Sequence, residues 1–365
     1  MSTSPSPLCV CIMAGGKGER FWPASRAARP KQLLPIASAR SLIAETAQRN
    51  LHVTPAENIF VITTHDQAPD IQKELPELPP HNIIAEPCGK NTAPCIGLIS
   101  ALLAARTPET VLAVVPADHI IPDTARYAQT IRDAAAVAAR EHALLTIGIA
   151  PRSPETGYGY ILAGDALPTT TATAFSRAEQ FIEKPPRPRA EELIATGRAF
   201  WNAGMFVFRA ADMLDAFSRF IPHMHAPLQR VIQTAGSPAQ SAAIAALYDA
   251  APAISIDYAV MEKAHNVIVA HGVFAWDDVG SWAAVADHWP HDAEGNATRG
   301  DVLVLDSSGC VVQNDGAGIT ALLGVNGLVV VRTADAVLVC PKNRAQDVKH
   351  IVQRLQQNPA WRAFT

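Results

Sequence analysis

The stretch Leu8–Pro35, LCVCIMAGGKGERFWPASRAARPKQLLP, decides the fold. Leu8–Met13 is a short apolar run, the pattern of a strand buried on both faces of a parallel sheet. It stops at Gly15-Gly16-Lys17-Gly18, and a long loop follows with Arg20, Arg26, Arg29 and Lys31. Glycine has no Cβ, so backbone N–H groups can approach an anion closely. Arginine and lysine add charge where phosphates would sit. The stretch therefore reads as a strand feeding a triphosphate cradle.

Spacing excludes two rival phosphate loops. A dinucleotide fingerprint needs G-x-G-x-x-G, but Arg20 and Phe21 follow here and no third glycine closes a helix onto the strand. A kinase-type loop needs G-K-[ST], and Gly16-Lys17 is followed by Gly18. A merely structural turn would leave the clustered cations unexplained.

The chain has 365 residues, 48% of them hydrophobic, enough for one large domain plus a smaller one, or for two domains. A net charge of -4 gives no reason to expect nucleic acid or an anionic membrane surface as partner. The six cysteines, Cys9, Cys11, Cys88, Cys95, Cys310 and Cys340, form no C-x-x-C and read as buried free thiols in a reducing compartment. MSTSPSPL at the N-terminus lacks the basic and apolar parts of a signal peptide. No apolar run approaches the ~18 residues that would suggest a membrane span. The expectation is a soluble, cytoplasmic protein.

Strands and helices alternate beyond the loop. Helix Ser41–Asn50 precedes strand Ile59–Thr63. A helix capped by Asn91 or Thr92 precedes strand Val111–Val115, and a helix capped by Asp123 or Thr124 precedes strand Leu144–Ile149. This is an α/β pattern with a mainly parallel sheet, in which ligands bind beyond the carboxyl ends of strands. The glycine turn and Asp118 both follow strands and should face one crevice. From Pro151 the rhythm changes to strand-like PETGYGYI, FIEKPPRP and FWNAGMFVF. Helical patterns follow at 189–197, 210–220, 227–235 and 239–248, then SIDYAVMEKA, with strands at Val267–His271 and Phe274–Trp276. Past a polar linker near His291, valine-rich segments separated by Gly, Asp and Asn predict a compact β unit, such as a single β-helix coil, and a terminal helix over 343–357. Its edges would need covering by the main domain or a partner subunit. The division expected is 1–290 and 291–365.

Asp118 in PADH and Asp278 in WDDVG are strand-end acids that suit Mg²⁺, which takes one or two carboxylates and fills its shell with water and substrate phosphates. Asp277 could share or replace Asp278. Each could equally be a turn acid. Lys184 of Glu183-Lys184-Pro185 could hold a phosphate and Glu183 a sugar hydroxyl. Gly157-Tyr158-Gly159 permits close backbone approach, and Asn202 could bond hydroxyls. Glu86 could accept the N1–H and N2 amine of guanine, a pair that adenine lacks. His223 and His225 have no third ligand at a zinc-like spacing.

GGKGERFWPASRAARPKQLL, EPCGKNTAPCIGL, PADH, PETGYGYI, FIEKP, WNAGMFVF, SIDYAVMEK and WDDVGSW, in that order, resemble the successive signatures of the mannose-1-phosphate guanylyltransferase family, with a β-helix-like tail from about residue 296. The resemblance implies a Rossmann-like nucleotidyltransferase domain with a mainly parallel mixed sheet and a small left-handed β-helix-like domain. It implies the reaction of GTP with mannose 1-phosphate to give GDP-mannose and pyrophosphate, with Mg²⁺ as cofactor and a homodimer as assembly. Carried over, Ala14, Gly15, Gly16 and Gly18 would wrap the nucleotide, and Arg20 and Lys31 would act on the triphosphate. Glu86, Pro87 and Asn91 would lie at guanine and ribose. Asp118 and Asp278 would bind Mg²⁺. Tyr158, Gly159, Glu183 and Asn202 would line the sugar, and Lys184 would grip its phosphate. Lys17 and Glu19 depart from the family's small hydroxyl residues, and Glu19 is expected to turn away from phosphate or pair with a cation. With its last residue at Thr365, the chain is not expected to carry the isomerase activity of longer members.

Overall fold

The computed structural model of the protein describes residues 7–365, and the N-terminal segment Met1–Ser6, read above for a signal peptide, lies outside them. Two compact units emerge. The first holds the chain up to Gly15 with residues 46–117 and 121–276; the second holds residues 16–45, 118–120 and 277–365.

The first unit is built on a nine-stranded sheet. Its strands are β1 (Leu8–Met13), β2 (Ile59–Thr64), β3 (Ile83–Glu86), β4 (Val111–Pro116), β5 (Leu144–Ile149), β6 (Tyr160–Leu167), β7 (Phe175–Ile182), β8 (Ala199–Arg209) and β9 (Val267–Gly272). The spatial order is β3-β2-β1-β4-β8-β5-β9-β7-β6. The first four are parallel, as their continuous apolar runs required. β8 is antiparallel to both β4 and β5 and makes the sheet mixed. Met13 and Pro116, which end β1 and β4, are register partners. The strand order changes direction there, the usual place for a ligand in an open α/β sheet.

Helix α1 (Leu42–Asn50) starts in the second unit and ends in the first. The others of the first unit are α2 (Ala68–Glu74), α3 (Thr92–Ala104), α4 (Thr124–Glu141), α5 (Arg187–Ala195), α6 (Ala210–Phe220), α7 (Pro222–Thr234) and α8 (Gln240–Ala250). Cys9, Cys11, Leu112, Val114, Phe206 and Phe208 meet α3, α6, α7 and α8 in one apolar core. Residues of the opposite parity, Val10, Ile12, Ala113 and Val115, are buried on the other face, and α4 packs on this sheet with Tyr127 and Ile131 fully buried. Asn91 and Asp123 are the caps of α3 and α4, by bonds from Thr92 N and Arg126 N.

Three expectations are corrected. The helix read from Pro227 begins at Pro222, because Pro222 occupies the first-turn position that proline favours and Pro227 lies inside. SIDYAVMEKA forms only one π-type turn, Asp257–Met261. Phe274–Trp276 is not a strand: Phe274 packs edge-on to Tyr127 and Trp276 to Tyr158, so ring packing buries them without sheet pairing.

The second unit carries β10 (Ala297–Arg299), β11 (Val302–Leu305), β12 (Val311–Asn314), β13 (Thr320–Leu323), β14 (Leu328–Arg332) and β15 (Val337–Pro341). β10, β12 and β14 stack in parallel, as do β11 and β13, so the chain coils through more than the single turn expected. Cys310, Val312, Leu322 and Val330 form a small core of their own. β15 pairs antiparallel to β14 and covers that edge. Val311, Val329, Val331 and Leu338 pack with Phe21, Trp22, Leu34 and Ile36, with Trp282 and Val285 of α9 (Trp282–Val285), and with Val348 and Val352 of α10 (Val348–Gln357). Trp282 donates to Trp22 O at 3.1 Å and Trp289 to Ile36 O at 2.8 Å. The signature loop is thus fastened to the β-coil within this unit. The cysteines are unpaired; Cys88 is exposed and Cys340 half-buried, not buried as expected. No helix among the described residues is long and apolar enough to cross a membrane.

Candidate functional site

In the second unit a cavity of about 350 Å³ gathers Gly18, Arg20, Lys31 and both acids, Asp118 and Asp278, with only Gly16 of this unit's candidates off its lining. Lys31 opens a short 3₁₀ turn, Lys31–Leu33, and is buried. Its Nζ donates to Asp118 Oδ2 at 2.8 Å and to the backbone oxygen of Asp278 at 2.6 Å, with the Phe21 ring centroid 5.4 Å away. Burial alone would raise the Asp118 carboxyl, but the charges of Lys31 and His119 hold it below its ordinary value. Arg20 is exposed and reaches Gly280 O at 3.4 Å. Glu19 lines the same cavity and, among the described residues, has no ion-pair partner, so the expected pairing with a cation is not seen. It sits at the head of the Glu19–Phe21 turn, whose Phe21 is anchored in the core.

The neighbouring acids Asp277 and Asp278 differ in their surroundings. Asp277 Oδ1 accepts from Val279 N at 2.7 Å and Oδ2 meets His288 Nε2 at 2.8 Å. Burial would raise its pKa, yet these two partners hold it low. Both oxygens of Asp277 are therefore engaged, and Asp278 is the acid on the cavity wall. Val279, fully buried, has φ of 46°, a costly conformation for a β-branched residue. Such strain persists where packing over-determines it, and it lies next to Asp278 on the cavity wall.

In the first unit Glu86 ends β3 and is only 3% exposed. Tyr248 of α8 donates to its Oε2 at 2.5 Å. A Cβ placed on Gly15 would lie 3.1 Å from Oε1, so the glycine leaves this oxygen room. Ala14 is tied to β2 by Ala14 N to Ile62 O at 2.8 Å and by Thr63 Oγ1 to Ala14 O at 2.9 Å. Pro87 and Asn91 are exposed, and Asn91 spends its oxygen on the cap of α3.

Burial pushes the Glu86 carboxyl up to about 7, against the bond from Tyr248. A folded-state value above the unfolded one favours the neutral acid in the fold. That stability is full below about pH 4.5 and is lost as pH rises through about 7, by at most roughly 3 kcal/mol. Glu86→Gln should therefore raise the thermal midpoint at pH 8 and change it little at pH 4.5. An equal effect at both would show that Glu86 does not titrate in this window.

The five residues expected at a sugar phosphate also come together in the first unit. Tyr158 stands edge-on to Trp201 and Trp276, with ring centroids 5.1 and 5.2 Å away. Gly159 accepts from Asn202 N at 2.8 Å, and a Cβ there would meet Glu183 Oε2 at 2.5 Å. Asn202 Oδ1 accepts from Thr146 and from Gly204 N, while Nδ2 donates to Asp257 Oδ1 at 2.8 Å. Its oxygen is saturated, which leaves one N–H to offer. Lys184, at φ 49°, donates to Glu183 Oε1 at 2.6 Å. Burial works against its ammonium, but Glu183 keeps the pKa above the ordinary value. Burial and the charge of Glu183 push Asp257 up to about 6. Thr92 Oγ1 accepts from Ile256 N at 2.8 Å, which fixes the turn carrying Asp257 to the start of α3.

Sequence reasoning missed Lys349, Tyr248 and Asp257. Asp257 lay inside the quoted SIDYAVMEK, and only its placement in a helix pattern hid it. Tyr248 and Lys349 sit in ordinary helical patterns with no local signal.

Residues 9–295 match the family described as Nucleotidyl transferase, and residues 300–355 match the MannoseP isomerase/GMP-like beta-helix domain. The chain is 39% identical over 354 residues to the mannose-1-phosphate guanylyltransferase of Klebsiella pneumoniae, covering 96% of this chain and 74% of that protein. It is 36% identical over 353 residues to the alginate biosynthesis protein AlgA of Pseudomonas aeruginosa, covering 94% and 71%. The crystal structure of a mannose-1-phosphate geranyltransferase from Thermus thermophilus is similar with a TM-score of 0.85 and 37% identity, covering 96% of this chain and 99% of that one. The chain belongs to the nucleotidyl transferase family and, within it, to the mannose-1-phosphate guanylyltransferases.

Proposed function

We propose that the protein transfers GMP from GTP to the phosphate of α-D-mannose 1-phosphate, giving GDP-mannose and pyrophosphate. The observation that carries the phosphate chemistry is the cavity in which Lys31 bridges Asp118 and the Asp278 backbone beside Arg20. A phosphate oxygen of mannose 1-phosphate attacks the α-phosphorus in line. The new P–O bond forms as the bond to the β-phosphate oxygen breaks, and pyrophosphate leaves with that electron pair. The attacking oxygen is already ionised, so no general base is needed. Catalysis is then positioning and charge neutralisation. An ammonium has three donors. Lys31 uses two on protein oxygens and keeps one for a phosphate oxygen, while Arg20 offers its guanidinium from the opposite end of the loop.

Nucleotidyl transferases generally use a divalent metal. Two hard carboxylates on one cavity wall suit Mg²⁺, and no group of three or more His, Cys, Asp or Glu among the described residues could hold an ion by itself. Asp118 and Asp278 would hold it, and it would neutralise charge on the phosphate oxygens. Asp278→Asn should shift the Mg²⁺ activation curve to at least about tenfold higher concentration. Asp277→Asn should leave that curve in place and lower the thermal midpoint, because His288 and Val279 lose their partner. The reverse pattern would move the role to Asp277.

Glu86 would read guanine with Oε1 while Tyr248 holds Oε2. Tyr158, Gly159, Glu183 and Asn202 would meet mannose, Asn202 as a donor only, and Lys184 would grip the sugar's phosphate. The two family matches support reading 1–290 as the catalytic domain and 291–365 as the β-rich one. Relatives named for alginate and xanthan biosynthesis support a role in supplying polysaccharide synthesis. The test is pyrophosphate release with Mg²⁺, each nucleoside triphosphate and a panel of sugar 1-phosphates. Release with GTP and mannose 1-phosphate is expected; none with that pair would overturn the proposal.

A further inference from the structure

Lys349 comes from the chain's last α-helix, more than three hundred residues beyond the glycine turn, yet it lines the same cavity as Arg20, Lys31, Asp118 and Asp278. Its position is fixed by packing. Val348 and Val352 of α10 share a core with Phe21 and Val279. Gln346 Nε2 lies 3.5 Å from where a Cβ on Gly280 would be, so this stretch runs against the Asp278–Gly280 turn.

Two features make Lys349 unusual. It is the second residue of α10, where the helix end carries partial positive charge and a cation is disfavoured. Among the described residues it also has no ion-pair partner, and neither has Lys17 or Arg20; Asp347, the nearest acid in sequence, pairs with Arg344. Lys31 is different, since Asp118 already neutralises it. Asp347 lies close enough for its charge to be felt by Lys349, and Glu19 and Asp278 share the wall, but the cavity still gathers four cations against three acids. A half-buried lysine placed there against the local preference is the kind of inconsistency that marks a functional position. An anion in the cavity removes the inconsistency.

We infer that Lys349 is a phosphate ligand of this site and binds the pyrophosphate end of the triphosphate. The assignment rests on the reading of the cavity as the GTP phosphate site. Lys31 is locked to the Asp118 carboxylate and to the backbone carbonyl of Asp278, so it serves the reacting phosphorus. Lys349, with three free donors on a flexible stem, serves the phosphates that leave. The C-terminal helix thereby becomes part of the catalytic machinery rather than a cover for the β-coil.

The test compares the full-length wild type with Lys349→Ala, Lys349→Gln and Lys349→Arg. Inorganic tripolyphosphate is titrated by calorimetry at two salt concentrations. KM is measured for GTP, for mannose 1-phosphate and, in the reverse direction, for pyrophosphate. Losing one charge-assisted bond should weaken tripolyphosphate binding and raise KM for pyrophosphate about tenfold in the Ala and Gln variants. KM for mannose 1-phosphate and the thermal midpoint should stay at wild-type values, the salt dependence of binding should lessen, and Arg should restore most of the loss. Unchanged tripolyphosphate affinity and pyrophosphate KM in the Gln variant, which keeps the stem, would overturn the inference. If the wild type makes no GDP-mannose, the reaction reading fails, and the tripolyphosphate comparison still decides Lys349.

Discussion

Lys31→Ala should lower kcat by about 10²–10³, the cost of removing one preorganised donor aimed at developing charge. The side chain is already fixed by Asp118, by the Asp278 carbonyl and by the Phe21 ring, so its remaining donor needs no reorganisation when the phosphorus becomes five-coordinate. The loss should fall on kcat more than on KM for GTP, because Arg20 and the other cations of the cavity still attract the triphosphate. Removing Lys31 also leaves the Asp118 carboxylate without its counter-charge, facing an anionic substrate. Lys31→Ala and Asp118→Asn should therefore be strongly non-additive, the double variant losing far less than the product of the two. Lys31→Arg should rescue poorly, since a planar fork cannot place donors on both oxygens and a phosphate as an ammonium does. The Asp118 side chain is 32% exposed, so the stability cost should stay at about 1 kcal/mol. Steady-state kinetics with a thermal melt on each variant reads all of this. Near-normal turnover in Lys31→Ala would remove Lys31 from the reaction.

How much of this was legible depended on whether the signal was local. The apolar runs of β1, β4 and β5 announced a parallel sheet because burial on both faces erases alternation. β8 was legible as a strand, but not as the antiparallel insertion between β4 and β5, since pairing partners leave no mark in an isolated segment. Asp118 and Asp278 were singled out because strand ends are where α/β proteins place ligand groups. Asp118 follows β4, but no strand leads directly into Asp278, and only the cavity lining brings the two together. Asp277 could not be set aside from sequence, as its partner His288 lies on a different turn. Glu86 was singled out as a polar reader, whereas its burial and its bond from Tyr248 come from α8, 162 positions away. Lys349 was invisible for the same reason. The amphipathic pattern that predicts α10 says which face is buried and nothing about what its first turn meets. The glycines were the reverse case, legible as necessary but credited with one role instead of two.

Gly18→Ala should be the most damaging single methyl in the loop, and it separates those two roles. Gly18 has φ of 64°, and a Cβ there would overlap the Cβ of Lys31 and come within 2.8 Å of its backbone N. The left-handed conformation alone costs a non-glycine residue roughly 1–2 kcal/mol, and forcing a methyl into packed surroundings adds about 1–3 kcal/mol. The chain can relieve the collision only by displacing Lys31, because Gly18 is held from the other side by Ser25 Oγ donating to its carbonyl at 2.7 Å. The Lys31–Asp118 pair then breaks, so Gly18→Ala should reproduce the kcat loss of Lys31→Ala and lower the thermal midpoint as well. Gly16→Ala is the control. A Cβ at Gly16 meets nothing within 4 Å and its φ is not in the left-handed range, so the fold should tolerate it. If Gly16 is glycine so that phosphate can approach the backbone, Gly16→Ala should raise KM for GTP at an unchanged midpoint. A Gly18→Ala protein with wild-type stability and turnover would show that the glycine is not required by Lys31, and the geometry assigned to both residues would fall together.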